Sequence, residues 1–411
     1  MREPFTMTHF PDKLRLKEQA DEDLYFARRD RELLAERRKN RHQGVSMTTL
    51  FDPVRLGALE LPNRIVMAPL TRNRAVSGLK PGELQVEYYK QRASAGLIIT
   101  EATQISPMGQ GYLDTPGIYN SEQIAAWKQV TDAVHAAGGH VFVQLWHVGR
   151  ISHSSLLPAG AAPVSSTNRR ANAQTFAAEG FVDVSPPRAL RDEEIPGLVE
   201  DYRHAARCAL EAGFDGVEVH AANNYLLEQF LRDSVNDRAG PYGGSISNRA
   251  RLVVEIMQAL AVEIGAGRTG IRISPMTTFN DTARDSDPQA LFEHLVTQLD
   301  PLGLAYVHVV QGETGGPRYP EDAEKPFDYA ALKACFSGCW MLNNGYGPED
   351  APRALAADEA DLIAFGRPFI SNPDLVRRLR EGAPLTPPNP DTFYGGGAEG
   401  YTDYPTLEAS D

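Results

Sequence analysis

The sequence predicts a single (β/α)8 (TIM) barrel of the α/β class, preceded by a charged N-terminal extension. Three observations support this fold class. Short apolar segments alternate with helical segments eight times, polar or glycine residues follow the apolar segments, and no glycine-rich phosphate turn follows the first one. Eight alternations favour a closed barrel. The alternative, a doubly wound sheet, would usually carry such a turn where this chain has MAPLTRNR.

The first 46 residues differ in composition from the rest of the chain. Residues 1–46 are dense in both charge signs, and their scattered apolar residues fit one narrow helical stripe. We therefore expect a solvated helical extension without catalytic residues, followed by a barrel domain over residues 47–411. A second interpretation is that Met47 is the native first residue, because the segment after it is typical of the start of a domain.

The predicted barrel strands are short apolar segments in regular alternation with helices. They cover residues 64–70, 97–105, 140–147, 216–222, 270–275, 305–312, 340–345 and 361–367. The predicted helices cover residues 84–95, 121–137, 193–212, 246–264, 288–299, 328–336 and 349–357, with a last one after Asn372. Ser121 is the predicted N-cap of the second helix, and glycines follow its end.

Two insertions interrupt the alternation. Residues 150–191 are rich in Ser, Ala, Pro and Arg and lack a strong helical period, which predicts a flap over the barrel mouth. Residues 223–245 end in the turn-rich sequence RAGPYGGS.

Charge and composition exclude several classes of partner. The formal net charge of −13 opposes nucleic acid or an anionic membrane as the main partner. The chain has no apolar run near the roughly 20 residues that cross a bilayer, and no secretory signal, so a cytoplasmic location is the default expectation. The three cysteines are expected to be reduced thiols. The sequence does not distinguish a monomer from a homo-oligomer.

Metal and serine-nucleophile chemistry fit the sequence poorly. The ten histidines form no HxH or HExxH pattern, and no GxSxG motif is present. We therefore predict no metal site.

Polar residues collect where the predicted strands end, which is the active face of a barrel of this type. They are Thr71, Glu101, Thr103, Gln144, Trp146, His147, His220, Asn223, Arg272, Asn343, Asn344, Gly366 and Arg367. Any one of them alone is more often a structural group than a ligand. Because they come from different strands and converge on one opening, they predict a site there.

The AFGRPF element after the last strand indicates the kind of ligand. Gly366 permits close approach of the backbone, and Arg367 supplies a forked cation at a position where such barrels often bind phosphate. Taken alone, the element is equally compatible with a glycine turn and a surface arginine. Beside Gly345, which follows the seventh strand, it favours a phosphorylated cofactor.

Seven segments, in order along the chain, resemble the Old Yellow Enzyme family of FMN-dependent ene-reductases. They are FDPVRLGALELPNRIVMAPLTRNRA, TEATQISPMGQGY, VQLWHVGRISH, VEVHAANNYLLEQFLRDSVNDRAGPYGGSISNRARL, IRISP, FGRPFI and TFYGGGAEGYTDYP. The resemblance covers about residues 48–407 and implies a (β/α)8 barrel that holds non-covalent FMN at its mouth.

The resemblance also implies which residues contact the flavin. Its ring would be contacted by Pro69, Leu70, Thr71, Ala102, Gln144 and Arg272, and its phosphate by Asn344, Gly345, Gly366 and Arg367. Thr71 would lie at the pyrimidine end, and Arg272 would place a fixed cation beside the N1/C2=O edge of the ring.

The implied substrate half of the site is carried by the segment around His220. His220 and Asn223 match the pair that donates hydrogen bonds to the carbonyl or nitro oxygen of an electron-poor alkene, and Tyr225 matches the proton donor to the α-carbon. The positions of Tyr112, Trp146 and Tyr394 match aromatic residues of the substrate pocket, and packing at the barrel mouth is the alternative for these three. NADPH or NADH would reduce the flavin before the alkene enters, in a ping-pong scheme.

The implied function is thus reduction of enones, maleimides, nitroalkenes or nitrate esters. Two alternatives stay open: an FMN barrel that oxidises another substrate class, and a non-catalytic flavin-binding module. One departure from the family pattern is Asn224, which stands where glycine is usual. Asparagine tolerates the left-handed conformation that a glycine there would suit, so we expect the turn to be kept.

Overall fold

The computed structural model describes residues 48–319 and 326–407. In this part of the chain, eight parallel strands form a closed barrel surrounded by helices, which confirms the predicted fold class. The predicted helical extension over residues 1–46 lies outside the described residues. No helix in the described ranges has the length and apolar character needed to span a membrane.

The strands of the described chain include the eight barrel strands and six short ones. In chain order they are β1 (Val54–Leu56), β2 (Leu59–Leu61), β3 (Ile65–Met67), β4 (Leu97–Gln104), β5 (Val141–Trp146), β6 (Val164–Ser165), β7 (Gln174–Ala177), β8 (Gly180–Asp183), β9 (Arg188–Ala189), β10 (Gly216–Ala221), β11 (Thr269–Ile273), β12 (Tyr306–Val310), β13 (Cys339–Asn343) and β14 (Leu362–Phe365). The barrel runs β3, β4, β5, β10, β11, β12, β13, β14 and closes from β14 back to β3. Each predicted barrel strand overlaps an observed one.

The α-helices lie between the barrel strands and after the last of them. They are α1 (Glu83–Lys90), α2 (Ser121–Ala136), α3 (Ile195–Glu211), α4 (Leu226–Leu231), α5 (Ile246–Leu260), α6 (Pro288–Leu299), α7 (Tyr329–Ala334), α8 (Asp350–Ala356), α9 (Arg367–Ser371) and α10 (Leu375–Glu381). The sequence did not predict the short helices α4 and α9.

The predicted N-cap of α2 is wrong by one residue. Asn120, not Ser121, precedes the helix, and its side-chain oxygen accepts a hydrogen bond of 2.9 Å from the amide of Gln123. Asparagine is as strong an N-cap as serine, so the sequence alone did not separate the two.

The interior of the barrel changes from apolar to polar toward the carboxyl ends of its strands. Strand residues alternate between the lumen and the surrounding helices, so positions two apart share the lumen. Apolar residues Phe142, Tyr306 and Met341 are buried there, and two positions later each strand carries Gln144, His308 or Asn343. An apolar layer therefore fills the barrel toward the amino ends of the strands, and polar groups lie toward the carboxyl ends, which form its mouth.

Two glycines make room for the aromatic rings in the lower layer. A Cβ atom at Gly216 would lie 2.4 Å from the ring of Phe142, and one at Gly270 would lie 2.4 Å from the ring of Tyr306. Neither position admits a side chain while these rings stay in place.

A hairpin belongs to the same apolar cluster at the amino ends of the strands. Strands β1 and β2 pair antiparallel, and Leu56 and Leu61 are fully buried with Val66, Leu97 and Leu362 of the barrel. We call this hairpin and the lower apolar layer the barrel floor.

The insertion over residues 150–191 contains two small sheets. Strands β7 and β8 form an antiparallel hairpin, and β6 pairs with β9. The insertion is tied to the loop after β4: the hydroxyl of Ser152 donates to the carbonyl of Gln110 over 2.7 Å, and the amide of Leu113 donates to the carbonyl of Phe176 over 2.8 Å.

Candidate active site

Four ring-bearing residues meet at the mouth of the barrel. The rings of His220 and Tyr225 lie 5.1 Å apart at 82°, those of Trp146 and Tyr225 lie 4.9 Å apart at 84°, and Tyr112 stacks on Trp146 at 5.7 Å. All four come from segments that follow or end β4, β5 and β10. The structure therefore brings together the predicted substrate residues of three neighbouring strands.

His220 is a neutral hydrogen-bond donor in this setting. Its Nδ1 accepts a hydrogen bond of 3.3 Å from the amide of Ala222, so the proton of the neutral ring is on Nε2. Burial, together with Arg272 and His308, lowers the pKa of the imidazole well below its usual value. Nε2 makes no hydrogen bond to any residue that the structure describes, which leaves its N–H for a ligand.

Asn223 offers a second donor beside His220. Its backbone N–H donates to the hydroxyl of Ser274 over 2.8 Å. Its side-chain oxygen accepts a hydrogen bond of 2.7 Å from the hydroxyl of Thr314. Within the described ranges, Nδ2 has no hydrogen-bond partner. The side-chain amide thus turns its oxygen toward Thr314, which leaves its NH2 group for a ligand.

The phenol of Tyr225 is buried and protonated. Burial raises its pKa above the usual value, although hydrogen bonds from Tyr112 and Asn280 act in the opposite direction. The Tyr112 and Tyr225 hydroxyls lie 3.1 Å apart. Tyr394 is 66% exposed, but it is close enough to both phenols to act on their pKa values.

The turn between His220 and Tyr225 contains two left-handed residues. Asn223 has φ +58° and Asn224 has φ +55°, so asparagine occupies the left-handed conformation expected at position 224. Its side-chain NH2 donates to the carbonyl of Asn280 over 2.6 Å, and its backbone amide donates to the carboxylate of Glu228 over 2.5 Å. The turn is thereby joined to the loop after β11.

Replacing Asn224 tests the importance of this conformation. We expect Asn224→Ala to lower the free energy of unfolding by about 2 kcal/mol, because alanine is strained at positive φ and cannot bond to Asn280. Asn224→Gly loses the same hydrogen bond without the strain, so it should cost about 1 kcal/mol. Urea unfolding measures both values, and equal losses in the two variants would contradict the role given to φ.

A polar layer lies beneath the mouth, formed by Gln144, Glu218, Arg272, His308 and Asn343. Glu218 accepts hydrogen bonds of 2.8 Å from Nε2 of Gln144 and from Nδ1 of His308, and Nη2 of Arg272 donates to Asn343 over 2.8 Å. Burial acts to raise the pKa of the Glu218 carboxyl, but His308, Arg272 and Gln144 leave it below its usual range. The layer therefore holds an ionised carboxylate close to the Arg272 cation.

The sequence analysis missed Glu218 and His308. A signal was present in GVEVH and YVHVV, where Glu218 shares the lumen face with His220 and where His308 is the polar residue between two valines. Because neither residue stands at the end of its strand, a search of strand ends alone passed over both.

Two of the residues predicted to contact the flavin ring, Gln144 and Arg272, belong to this layer, and the other four lie at β3 and β4. Pro69, Leu70 and Thr71 follow β3 and are half-buried, and Ala102 is buried in β4 beside Trp146 and Tyr225. Leu70 lies next to Gly366, since a Cβ atom at that glycine would be 3.4 Å from its Cδ2. Strands β3 and β14 thus bring the first and last predicted cofactor segments together.

The residues predicted to bind phosphate lie at the ends of β13 and β14. Gly345 has φ +69° and nothing within 4 Å of the place of a Cβ, and Arg367 is exposed, with Nη2 3.3 Å from the carbonyl of Gly315. The side-chain NH2 of Asn344 is engaged with the carbonyls of Gln311 and Glu313 at 2.5 and 2.7 Å. A contact from Asn344 to phosphate would therefore use its backbone.

Glu101 does not belong to the mouth, in contrast to the expectation for polar residues of its strand. The register of β4 shifts between Ile99 and Ala102, and the Glu101 carboxylate accepts a hydrogen bond of 3.2 Å from the hydroxyl of Tyr89 in α1. Burial raises the pKa of this carboxyl to about 7. Glu101 therefore lies between the barrel and a helix.

Comparisons with known proteins agree over the barrel. The family model described as NADH:flavin oxidoreductase / NADH oxidase matches residues 49–386. The 12-oxophytodienoate reductase 1 of Oryza sativa subsp. japonica is 46% identical over 368 residues, which cover 88% of this chain and 94% of that protein.

Solved structures show the same similarity. That of morphinone reductase matches with a TM-score of 0.83 at 46% identity, over 88% of this chain and 97% of the other. The structure of an Old Yellow Enzyme homologue from Zymomonas mobilis matches with a TM-score of 0.84 at 44% identity, over 88% of this chain and all of the other.

In the described residues, no group of three or more His, Cys, Asp or Glu is placed to hold a metal ion.

Proposed function

The chain belongs to the NADH:flavin oxidoreductase / NADH oxidase family, and we propose that within it this protein is an ene-reductase that acts on electron-poor alkenes. Enones, maleimides and nitroalkenes are the proposed substrates, with nitrate esters as a further class. The observation that carries the proposal is the pair of donors, His220 and Asn223, beside the buried phenol of Tyr225.

The mouth of the barrel fits FMN. Arg272 is buried and its Nε has no partner in the described part of the chain, which suits a cation that faces a polar edge of a ring. At the ends of β13 and β14, Gly345 and Gly366 have no side chain that would keep a ligand from the backbone. The exposed Arg367 beside them can bind a phosphate. When bound, FMN supplies the hydride chemistry, with electrons entering from NADPH or NADH and leaving to the β-carbon of the alkene.

The two donors bind and polarise the substrate. In this proposal the N–H of His220 and the NH2 of Asn223 both donate to one ligand oxygen, the carbonyl or nitro oxygen of the alkene. Negative charge grows on this oxygen as the β-carbon is reduced, and donors fixed in place stabilise it without reorganisation. Because His220 is neutral, it adds no charge of its own before the reaction.

Tyr225 supplies the proton that completes the reduction. Its ring lies 5.1 Å from that of His220, so the phenol can face the α-carbon of an alkene whose oxygen is held by the donors. Burial keeps the phenol protonated at neutral pH because it raises the pKa. The aromatic residues around it, Tyr112, Trp146 and Tyr394, would enclose a small planar substrate.

An oxidase or dehydrogenase acting on another substrate class is less compatible with this site. Such a reaction needs a base near the carbon that loses a proton, and burial raises the pKa of Tyr225, so even less of it than of a free phenol is ionised at neutral pH. Flavin binding alone would not require two oriented donors and a buried acid at one opening, so these residues also argue against a non-catalytic flavin-binding module.

A spectrum and an assay test the proposal. The purified protein is expected to be yellow, to retain FMN, and to oxidise NADPH or NADH under anaerobic conditions when N-ethylmaleimide or 2-cyclohexenone is added. Denaturation should release the flavin, because it is not covalently held. A protein that takes up FMN and is reduced by NADPH or NADH, but whose reduced form transfers electrons to neither alkene, would rule out the ene-reductase.

A further inference from the structure

The loop after β12 reaches the substrate site through one side chain. The hydroxyl of Thr314 donates to Oδ1 of Asn223 over 2.7 Å, and Thr314 matches none of the predicted site residues. We propose that Thr314 is a positioning residue that sets the orientation of the Asn223 amide, so that NH2 rather than oxygen faces the substrate. This inference rests on the proposed function and adds a residue to it.

The backbone of Asn223 is fixed without help from Thr314. Its N–H donates to the hydroxyl of Ser274 over 2.8 Å, and its carbonyl accepts a hydrogen bond of 2.9 Å from the side chain of Asn280. What these contacts leave free is rotation of the terminal amide, which has two nearly isosteric orientations. In the structure, the hydrogen bond from Thr314 holds the orientation in which Oδ1 lies on the hydroxyl.

The selected orientation decides whether a substrate oxygen is attracted or repelled. With Oδ1 on Thr314, the NH2 group is free to donate to a carbonyl or nitro oxygen. In the reverse orientation Oδ1 would face that oxygen, and two acceptors would meet. Loss of the Thr314 hydroxyl therefore removes the contact that holds the productive orientation, while every atom of Asn223 remains.

Thr314 is itself held in place by its neighbours. Its amide donates to the hydroxyl of Thr277 over 3.2 Å. The adjacent Glu313 accepts hydrogen bonds of 2.8 Å from the amide of Thr278 and from Arg284, and its carbonyl accepts one of 2.7 Å from Asn344. The backbone that carries the hydroxyl is therefore held at Thr314 and at the residue before it, which gives a positioning residue a defined place.

The test isolates the reaction of the alkene. FMN-loaded protein is reduced with dithionite under anaerobic conditions and mixed with 2-cyclohexenone, and return of the flavin absorbance gives a rate and a half-saturating concentration. We expect Thr314→Val to lower the ratio of rate to half-saturating concentration by about tenfold. Thr314→Ser keeps the hydroxyl and should recover most of that loss. Flavin content and the flavin spectrum should match those of the unsubstituted protein in both variants.

Two further variants separate positioning from general support of the loop. Thr278→Val removes a hydroxyl that contacts Glu313 of the same loop but does not contact Asn223, so it should change the ratio by less than about twofold. In an Asn223→Ala background, Thr314→Val should have no further effect, because the amide that it orients is gone.

Three outcomes would overturn the inference. An unchanged ratio in Thr314→Val would do so alone, and so would full additivity of Thr314→Val with Asn223→Ala, since a structural role does not depend on the amide. If the unsubstituted reduced protein does not react with any alkene, the proposed function fails and the inference fails with it. The first two outcomes leave the proposed function standing.

Discussion

Tyr225→Phe is expected to slow enone reduction by about 100-fold or more, the usual contribution of a positioned general acid. Phenylalanine keeps the ring that packs against Trp146 and His220, but it has no proton to give to the α-carbon. The step in which NADPH or NADH reduces the flavin uses no proton from this phenol and should change by less than about twofold. Rapid mixing of each half-reaction separately, with 2-cyclohexenone as the alkene, measures both effects.

A matched variant controls for loss of a hydroxyl at the mouth. Tyr112→Phe removes the other member of the hydroxyl pair, 3.1 Å from Tyr225, and leaves the proposed proton donor in place, so enone reduction should fall by less than about tenfold. A nitroalkene should lose less activity than an enone in Tyr225→Phe, because solvent can protonate its reduced product. Equal damage to both half-reactions in Tyr225→Phe would show that the phenol serves the cofactor instead.

Arg232→Met is expected to lower the free energy of unfolding by about 3–5 kcal/mol, the usual result of removing one partner of a buried ion pair. Arg232 and Glu228 are both fully buried and lie 2.8 Å apart. The same guanidinium donates to the carbonyls of Thr277 at 2.8 Å and Ser274 at 2.7 Å, so the substitution also leaves backbone acceptors unsatisfied. Thermal or urea unfolding of the FMN-loaded protein measures the loss.

A second variant identifies the uncompensated charge as the cause. Adding Glu228→Gln to Arg232→Met removes the buried carboxylate, so the double variant should be more stable than Arg232→Met alone. Arg353→Met breaks the exposed pair with Glu349 and should leave stability unchanged within experimental scatter. A double variant that is less stable than Arg232→Met would contradict the ion-pair explanation.

The sequence predicted the barrel because its signals are local and repeated. Each apolar segment between helices is a strand candidate on its own, and polar residues at strand ends, such as His220 and Arg272, are brought together by the topology alone. The family resemblance then supplied roles for residues such as Tyr112 and Tyr394, whose positions outside the strands carry no such signal.

The rest of the site depends on contacts that one sequence does not encode locally. Thr314 reaches Asn223 across 91 positions of the chain, and Asn280 reaches the same residue across 57. The shift of register in β4, which turns Glu101 toward a helix, has no marker in the sequence around it. Side chains of loops and irregular strands therefore had to be located in the structure.

The contacts of the Glu228 carboxylate limit which residues near the site can be substituted. This carboxylate pairs with Arg232 and also accepts hydrogen bonds from the backbone amide of Asn224 and the hydroxyl of Ser274. The turn at Asn223 and Asn224 therefore depends on the same ion pair that stabilises the fold. The barrel floor shares no residue with that turn. If the proposed function holds, directed evolution toward new alkenes should randomise Tyr112 and Tyr394 at the rim and keep position 228 fixed, because a change at 228 would lower stability and activity together.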